Sequence, residues 1–400
     1  MSELVGINKK RSGKDPRVAL FELGFRPFFL AAAVSSVVSV AFWLFIYSLQ
    51  IAPEMSPLRS SDWHAHEMIY GYSLAVIAGF LLTAIMNWTG VQTVHGGRLA
   101  ALVSTWLLAR ILFLFGSRFL LLAGILDLTF AIGLITCISV PIFSTRSWKQ
   151  IGIISKVFLL GLGNLCFYLG ALGILEQGVY WAIYGAIYLI VSLILTIGGR
   201  VMPAFIQNAV DYNVQIISYR SILILNLLLL LGLFVNELFI QYSNLSGYLA
   251  LALFILNSIR LISWHTPGIW KKPLLWSLFC AFIFINLGFL LFALSIFAGI
   301  SKFLAIHAFA YGGIGLATLG MMARVSLGHT GRLISVPAIG TAWAFRVLLL
   351  GTVIRIFIPL VTSYHYILWM TVSQVCWILA FTIFIVGYAR ILIGPSADRL

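Results

Sequence analysis

The stretch DWHAHEMIYG, residues 62–71, places two histidines and a glutamate within four positions. Imidazole nitrogens and a carboxylate at this density can ligate a metal or a haem iron, or hydrogen-bond a group that such a ligand carries. On an α-helix, residues three or four apart share a face, whereas residues two apart lie about 200° apart. His66 therefore aligns with Tyr70 and Ser73, and His64 with Glu67, Met68 and Gly71. The two histidines converge only if His64 is still in a loop. One histidine is then a metal or haem ligand from the helix, and the other serves a second site or hydrogen-bonds a ligand.

A second run carries the same spacing. His66, Tyr70, Gly71, Gly79, Thr89 and Gly90 recur 241 residues later as His307, Tyr311, Gly312, Gly320, Thr330 and Gly331. Both runs read H-x-x-x-Y-G-x(7)-G-x(9)-T-G. A fainter echo, Tyr184-Gly185, has Tyr180 where the histidine would be. The repeat makes His66 and His307 the leading ligand pair, with His64 and Glu67 as further metal ligands and Tyr70 and Tyr311 lining a cofactor site. Gly71, Gly79, Gly312, Gly313, Gly315 and Gly320 remove side-chain bulk nearby, which suits either a flat ligand or close helix packing.

The elements that must position these residues are membrane helices. Of 400 residues, 62% are hydrophobic and 9% charged, and the mean hydropathy is +1.06; soluble domains carry about 25% charged residues. Apolar runs of roughly 17–25 residues, the length that crosses a bilayer as a helix, predict twelve spans. They fall at about 28–48, 66–87, 99–115, 118–142, 157–175, 180–199, 220–235, 247–262, 274–297, 303–323, 338–360 and 366–392. The expected fold is an all-α integral membrane protein. A basic segment (1–27) precedes one membrane domain (28–392) and a short tail (393–400). The repeat on the second, sixth and tenth helices suggests three four-helix units. The net charge of +14 is topological. With the N-terminus in the cytoplasm, nineteen of the 25 Lys and Arg residues fall on the cytoplasmic side and three outside, so both termini are expected there. Anionic lipid headgroups, not nucleic acid, are the partners this charge suits.

Further polar residues sit along the helices. Arg324, His329 and Arg332, with Arg200 and His265, gather at the cytoplasmic edge as a candidate second polar site for a haem, an anion or a quinone headgroup. Arg110 and Asp127 fall on adjacent antiparallel helices and predict an ion pair; Arg346 and Arg355 also need partners within the membrane. Cys137, Cys166, Cys280 and Cys376 are far apart in apolar helices and read as small packing residues. No C-x-x-C-H occurs, so any haem is held non-covalently. Walker A, H-E-x-x-H and G-x-S-x-G motifs are absent from the sequence.

The stretches LFELGFRPFFL (20–30), WHAHEMIYGYSLAVIAGFLLTAIMNWTG (63–90), GGRVMPAF (198–205) and HAFAYGGIGLATLGMMARVSLGHTGR (307–332) resemble the NnrS family over essentially the whole chain. That resemblance implies a bacterial inner-membrane protein of twelve helices, linked to haem and copper and to tolerance of nitric oxide and nitrosative stress. His64, His66 and Glu67 match the W-H-x-H-E-M motif; His307, Arg324, His329 and Arg332 match the second. The expected cofactor is haem b ligated by His66 and His307, with copper as a further metal and Arg59 placed to meet the haem propionates. Nitric oxide would bind the haem, and a quinol would supply electrons if the protein is an oxidoreductase. Helices two and ten also resemble, at the level of fold, the haem-bearing helices of haem–copper oxidase subunit I. The sixth helix has no histidine, so the copper centre of those enzymes does not carry over. Two other readings compete: a transporter of a small anion or metal chelate, and a membrane scaffold that protects without turnover.

Overall fold

The computed structural model describes residues 19–50, 58–216 and 219–397. Most of the basic N-terminal segment and the end of the tail lie outside the described residues. Among the described residues the chain is helical, with no strand. Twelve helices are long and apolar enough to span a membrane: α1 (Phe25–Ser48), α2 (Ser60–Thr89), α3 (Gly96–Phe113), α4 (Leu120–Ser144), α5 (Trp148–Ala171), α6 (Gly178–Ala209), α7 (Arg220–Ile240), α8 (Ser243–Trp264), α9 (Pro273–Phe297), α10 (Lys302–Gly328), α11 (Thr341–Val361) and α12 (Tyr366–Ile393). Each expected span corresponds to one of these.

The boundaries shift where polar residues still favour a helix. The α2 helix begins at Ser60 because Arg59 is extended and Asp62 sits in the first turn, where its charge meets the positive end of the helix dipole. Both His64 and His66 are therefore helical and point apart, as the 200° argument requires. At the break between α3 and α4, Gly116 takes φ +68°, a left-handed conformation open to glycine at little cost. The α6 helix runs on to Ala209 through Pro203, so the loop expected from residue 200 is shorter.

Burial ranks the helices. In α2, α6, α10 and α9, 83%, 72%, 78% and 67% of the most apolar window is buried, against 33–39% in each of the other eight. The interior is therefore built by the helices that carry the repeat, together with α9, and both α2 and α10 pack against α6. The remaining helices turn broad apolar faces outward, as lipid contact requires. The first described residue meets the end of the last helix: Ala19 N–H donates to the Ile393 carbonyl at 2.8 Å. The fully buried Arg26 donates through Nη1 to the carbonyls of Leu392 and Gly394 at 3.1 and 2.6 Å. Arg26 thus caps the C-terminus of α12, where a cation also meets the negative end of the dipole.

The repeat has a counterpart in backbone geometry. Within α2 the α-helix widens to a π-helix over Glu67–Ser73, and within α10 over Ala308–Gly315. The two stretches start 241 residues apart, each directly after its histidine. The tyrosines they carry behave alike. Tyr70 Oη donates to the Ala182 carbonyl at 2.9 Å, and Tyr311 Oη to the Ser373 carbonyl at 2.6 Å. Each hydroxyl lies against a glycine of a neighbouring helix, Gly163 or Gly351, where a Cβ would collide with it. The sixth-helix echo does not extend this far, since Tyr184 lies in regular α-helix.

This close approach has a measurable cost. Gly351→Ala forces Tyr311 from its place and is expected to destabilise by about 1–3 kcal/mol, the range for overpacking. Tyr311→Phe loses one hydrogen bond, worth about 1 kcal/mol. Thermal unfolding in detergent should rank Gly351→Ala as the more damaging of the two.

Candidate functional site

Two polar clusters form where α2 and α10 carry their histidines. They are built on different neighbours.

The first surrounds His66, which is fully buried. Its Nε2 lies 3.0 Å from Asn164 Oδ1 and 3.6 Å from Asp127 Oδ2, and its Nδ1 lies 3.3 Å from Glu67 Oε1. Arg110 bridges the two acids, donating through Nη1 to Glu67 Oε1 at 2.7 Å and through Nη2 to Asp127 Oδ2. Tyr168 Oη donates to Asp127 Oδ2 at 2.9 Å. The rings of Phe113, Phe167, Tyr70 and Tyr168 pack around the imidazole. The expected Arg110–Asp127 pair is present, and the structure adds Glu67, His66, Asn164 and Tyr168 to it. Ideal helical geometry puts Glu67 on the His64 face. In the structure its carboxylate reaches His66 Nδ1 and Arg110 Nη1 instead. Two carboxylates thus share one guanidinium. Both ring nitrogens of His66 face oxygen atoms of this cluster.

The second cluster surrounds His307. Arg355 of α11 donates through Nη2 to His307 Nε2 at 2.9 Å. A guanidinium only donates, so Nε2 carries the lone pair and the proton is on Nδ1. That Nδ1–H donates to the Phe303 carbonyl at 2.7 Å. A backbone carbonyl that fixes the tautomer and leaves Nε2 as an acceptor is the arrangement that orients metal-ligating histidines. The other Arg355 nitrogen, Nη1, points at Met370 Sδ of α12. His64 of α2 lies within electrostatic range of His307 and Arg355. The His64 ring is stacked on Trp43 of α1, centroids 4.6 Å apart and planes 8° apart, and its buried Nδ1 has no hydrogen-bond partner. Among the described residues, no carboxylate lies within ion-pair distance of Arg355.

Among the described residues, His66 and His307 share no hydrogen-bond partner. His66 and Glu67 belong to the ion cluster of α2, α3, α4 and α5. Tyr70 and Tyr311 direct their hydroxyls into helix contacts, and not at a histidine nitrogen. Arg59 makes a two-point pair with Asp62, Nε–Oδ2 2.8 Å and Nη2–Oδ1 3.0 Å, and its side chain is 79% exposed. Hydrogen bonding to Asp62 raises its already high pKa. Exposed pairs of this kind contribute less than about 1 kcal/mol, so Arg59→Ala should leave thermal stability and cofactor content near wild type in an unfolding and absorbance assay.

Residues expected to share a second polar site are dispersed. Arg200 donates to Gln150 Oε1 at 2.8 Å, Arg324 lies 3.7 Å above the Phe205 ring, and Arg332 donates to the Thr330 carbonyl at 3.3 Å. His265 Nε2 accepts from Trp270 Nε1 at 3.1 Å, and His329 packs beside Phe25. Burial lowers the pKa of His329. Among the described residues, no hydrogen bond, ion pair or ring contact joins any two of the five. Missing from the sequence reading were Met370, Trp43 and the pairing of Arg355 with His307. Arg355 had one signal, its position as an intramembrane cation.

Among the described residues, no three His, Cys, Asp or Glu side chains converge as a metal cage. The donors that do gather are two imidazoles and a thioether. No curated protein matches the chain. The NnrS protein family profile matches residues 19–396, nearly the whole length, and the chain belongs to that family.

Proposed function

We propose that the side-chain cluster of His64, His307, Arg355 and Met370, on α2, α10, α11 and α12, holds a haem b, and that the protein uses it to bind or transform nitric oxide in protection against nitrosative stress. One observation carries this reading: His307 is oriented with Nδ1–H on the Phe303 carbonyl, which leaves Nε2 as an electron-pair donor, now turned to the Arg355 guanidinium. The site fits the group in three further respects. His64 offers a buried nitrogen without a partner. Arg355 is a half-buried cation whose described partners are neutral, and a guanidinium suits a propionate carboxylate. Trp43 supplies a flat apolar wall that fixes the His64 ring.

In this reading His307 and His64 would hold the iron, and Arg355 would pair with a carboxylate of the same group. When bound, haem supplies an iron centre that takes up nitric oxide or passes single electrons. The chain's own residues set its properties. The Phe303 carbonyl raises the electron-donor strength of His307 by accepting its Nδ1 proton. Stacking on Trp43 limits rotation of His64. Family membership supports the connection to nitric oxide, and the twelve apolar helices support a multi-pass membrane location, which we place in the bacterial inner membrane with both termini cytoplasmic. A copper ion is a lesser fit for the same cluster, through His64, His307 and Met370, since thioether and imidazole suit Cu(I).

Purification from membranes with an absorption spectrum, iron and copper analysis, and titration with nitric oxide tests the proposal. A haem spectrum that shifts on adding nitric oxide is the expected result. A colourless protein after expression with added haem precursor would overturn it, and uptake of an anion or chelate into liposomes by that protein would favour a transporter.

A further inference from the structure

A cavity of about 90 Å³ lies between α2, α6, α9 and α10. Its walls include Val76, Leu193, Met202, Phe282, Ala317 and Thr318. No lining residue is charged. The lining contains one hydroxyl, Thr318 Oγ1, and that is spent: it donates to the Ile314 carbonyl at 2.6 Å and is paired with Tyr72 Oη. A water placed here would find no free partner, and apolar cavities of this kind stay dry and take apolar solutes instead. The volume is below the roughly 150 Å³ of a cavity that accepts benzene, which confines the occupant to a few heavy atoms. The half-buried Phe80, Ile194 and Met321 mark the side on which the cavity opens. These are apolar too, so a solute dissolved in the bilayer can enter without crossing a polar layer.

The Tyr72–Thr318 pair forms the roof. The Tyr72 ring packs on Trp377 with centroids 5.7 Å apart, and Trp377 packs on Tyr311 at 4.9 Å. Tyr311 is one turn from His307 on α10. An aromatic column therefore joins the cavity to the histidine cluster.

We infer that this cavity is a binding site for small uncharged diatomic gases, held within the helix bundle below the His64–His307 cluster. The inference does not depend on haem, because the walls that define the cavity are protein side chains alone. Xenon is the probe. Crystals of the full chain pressurised with xenon should show an anomalous peak between Val76, Met202 and Ala317. Ala317→Leu, which projects a larger side chain into the space, should lose the peak. If that variant does not fold, Met321→Phe at the mouth should lose it as well. An unoccupied cavity in the pressurised wild-type protein, ordered water within it, or a lipid acyl chain filling it would overturn the inference. Xenon retained at this place in Ala317→Leu would also overturn it. Since haem content is read separately by absorbance, failure here leaves the haem assignment to its own test.

Discussion

Arg110→Met is expected to destabilise the protein more than any other single substitution considered, by about 3–5 kcal/mol, the range for removing one partner of a buried ion pair. The reason is what remains. Glu67 and Asp127 are 3% and 0% exposed, and without the guanidinium each would be a buried carboxylate in a low-dielectric interior. The loss should appear as a fall in the unfolding temperature in detergent, or as failure to purify a folded protein. Because the damage comes from uncompensated charge, neutralising the acids should repair it. The triple variant Arg110→Met, Glu67→Gln, Asp127→Asn is expected to recover much of the lost stability. A triple variant as unstable as the single one would show that packing against Gly71, which lies against the Arg110 side chain, and not charge, governs the site.

His64→Ala is expected to have the largest effect on ligand binding while leaving the fold intact. His64 contributes no hydrogen bond through its buried Nδ1, so its removal costs stacking on Trp43 and little else. If His64 and His307 would both hold the iron, losing His64 leaves it one protein ligand fewer. The absorption spectrum should change, and nitric oxide should bind faster. An unchanged spectrum in His64→Ala would remove His64 from the ligand set, and His307 would then act with another donor, Met370 being the nearest candidate.

The fold was legible because its cause is one-dimensional. Long apolar runs with few charges fix the number of helices and their approximate ends, and all twelve emerge. The Arg110–Asp127 pair was legible for a similar reason, since adjacent antiparallel helices bring such residues to matching depth. The membership of the histidine sites was not. Pairing His66 with His307 followed the repeat in sequence, and the repeat does hold in the backbone, where both histidines directly precede a π-helical stretch. Yet equivalent positions in a repeat face different neighbours. Around His66 those neighbours are Asp127, Asn164 and Tyr168; around His307 they are Arg355 and Met370. His64 comes within electrostatic range of His307 and Arg355 because the α2 helix starts at Ser60 and carries it on the opposite side from His66. The reach of Glu67 to His66 and Arg110 depends on tertiary neighbours that no apolar pattern announces.

The most direct test of the central claim sets two histidine variants side by side. Haem-to-protein ratio and absorption spectrum are measured for His307→Ala and for His66→Gln, each purified as a folded protein of normal elution. If the proposed haem site is right, His307→Ala loses haem and His66→Gln retains a wild-type spectrum, since His66 serves the ion cluster. A normal haem load in His307→Ala together with a colourless His66→Gln would contradict the assignment and return the site to the α2–α5 cluster.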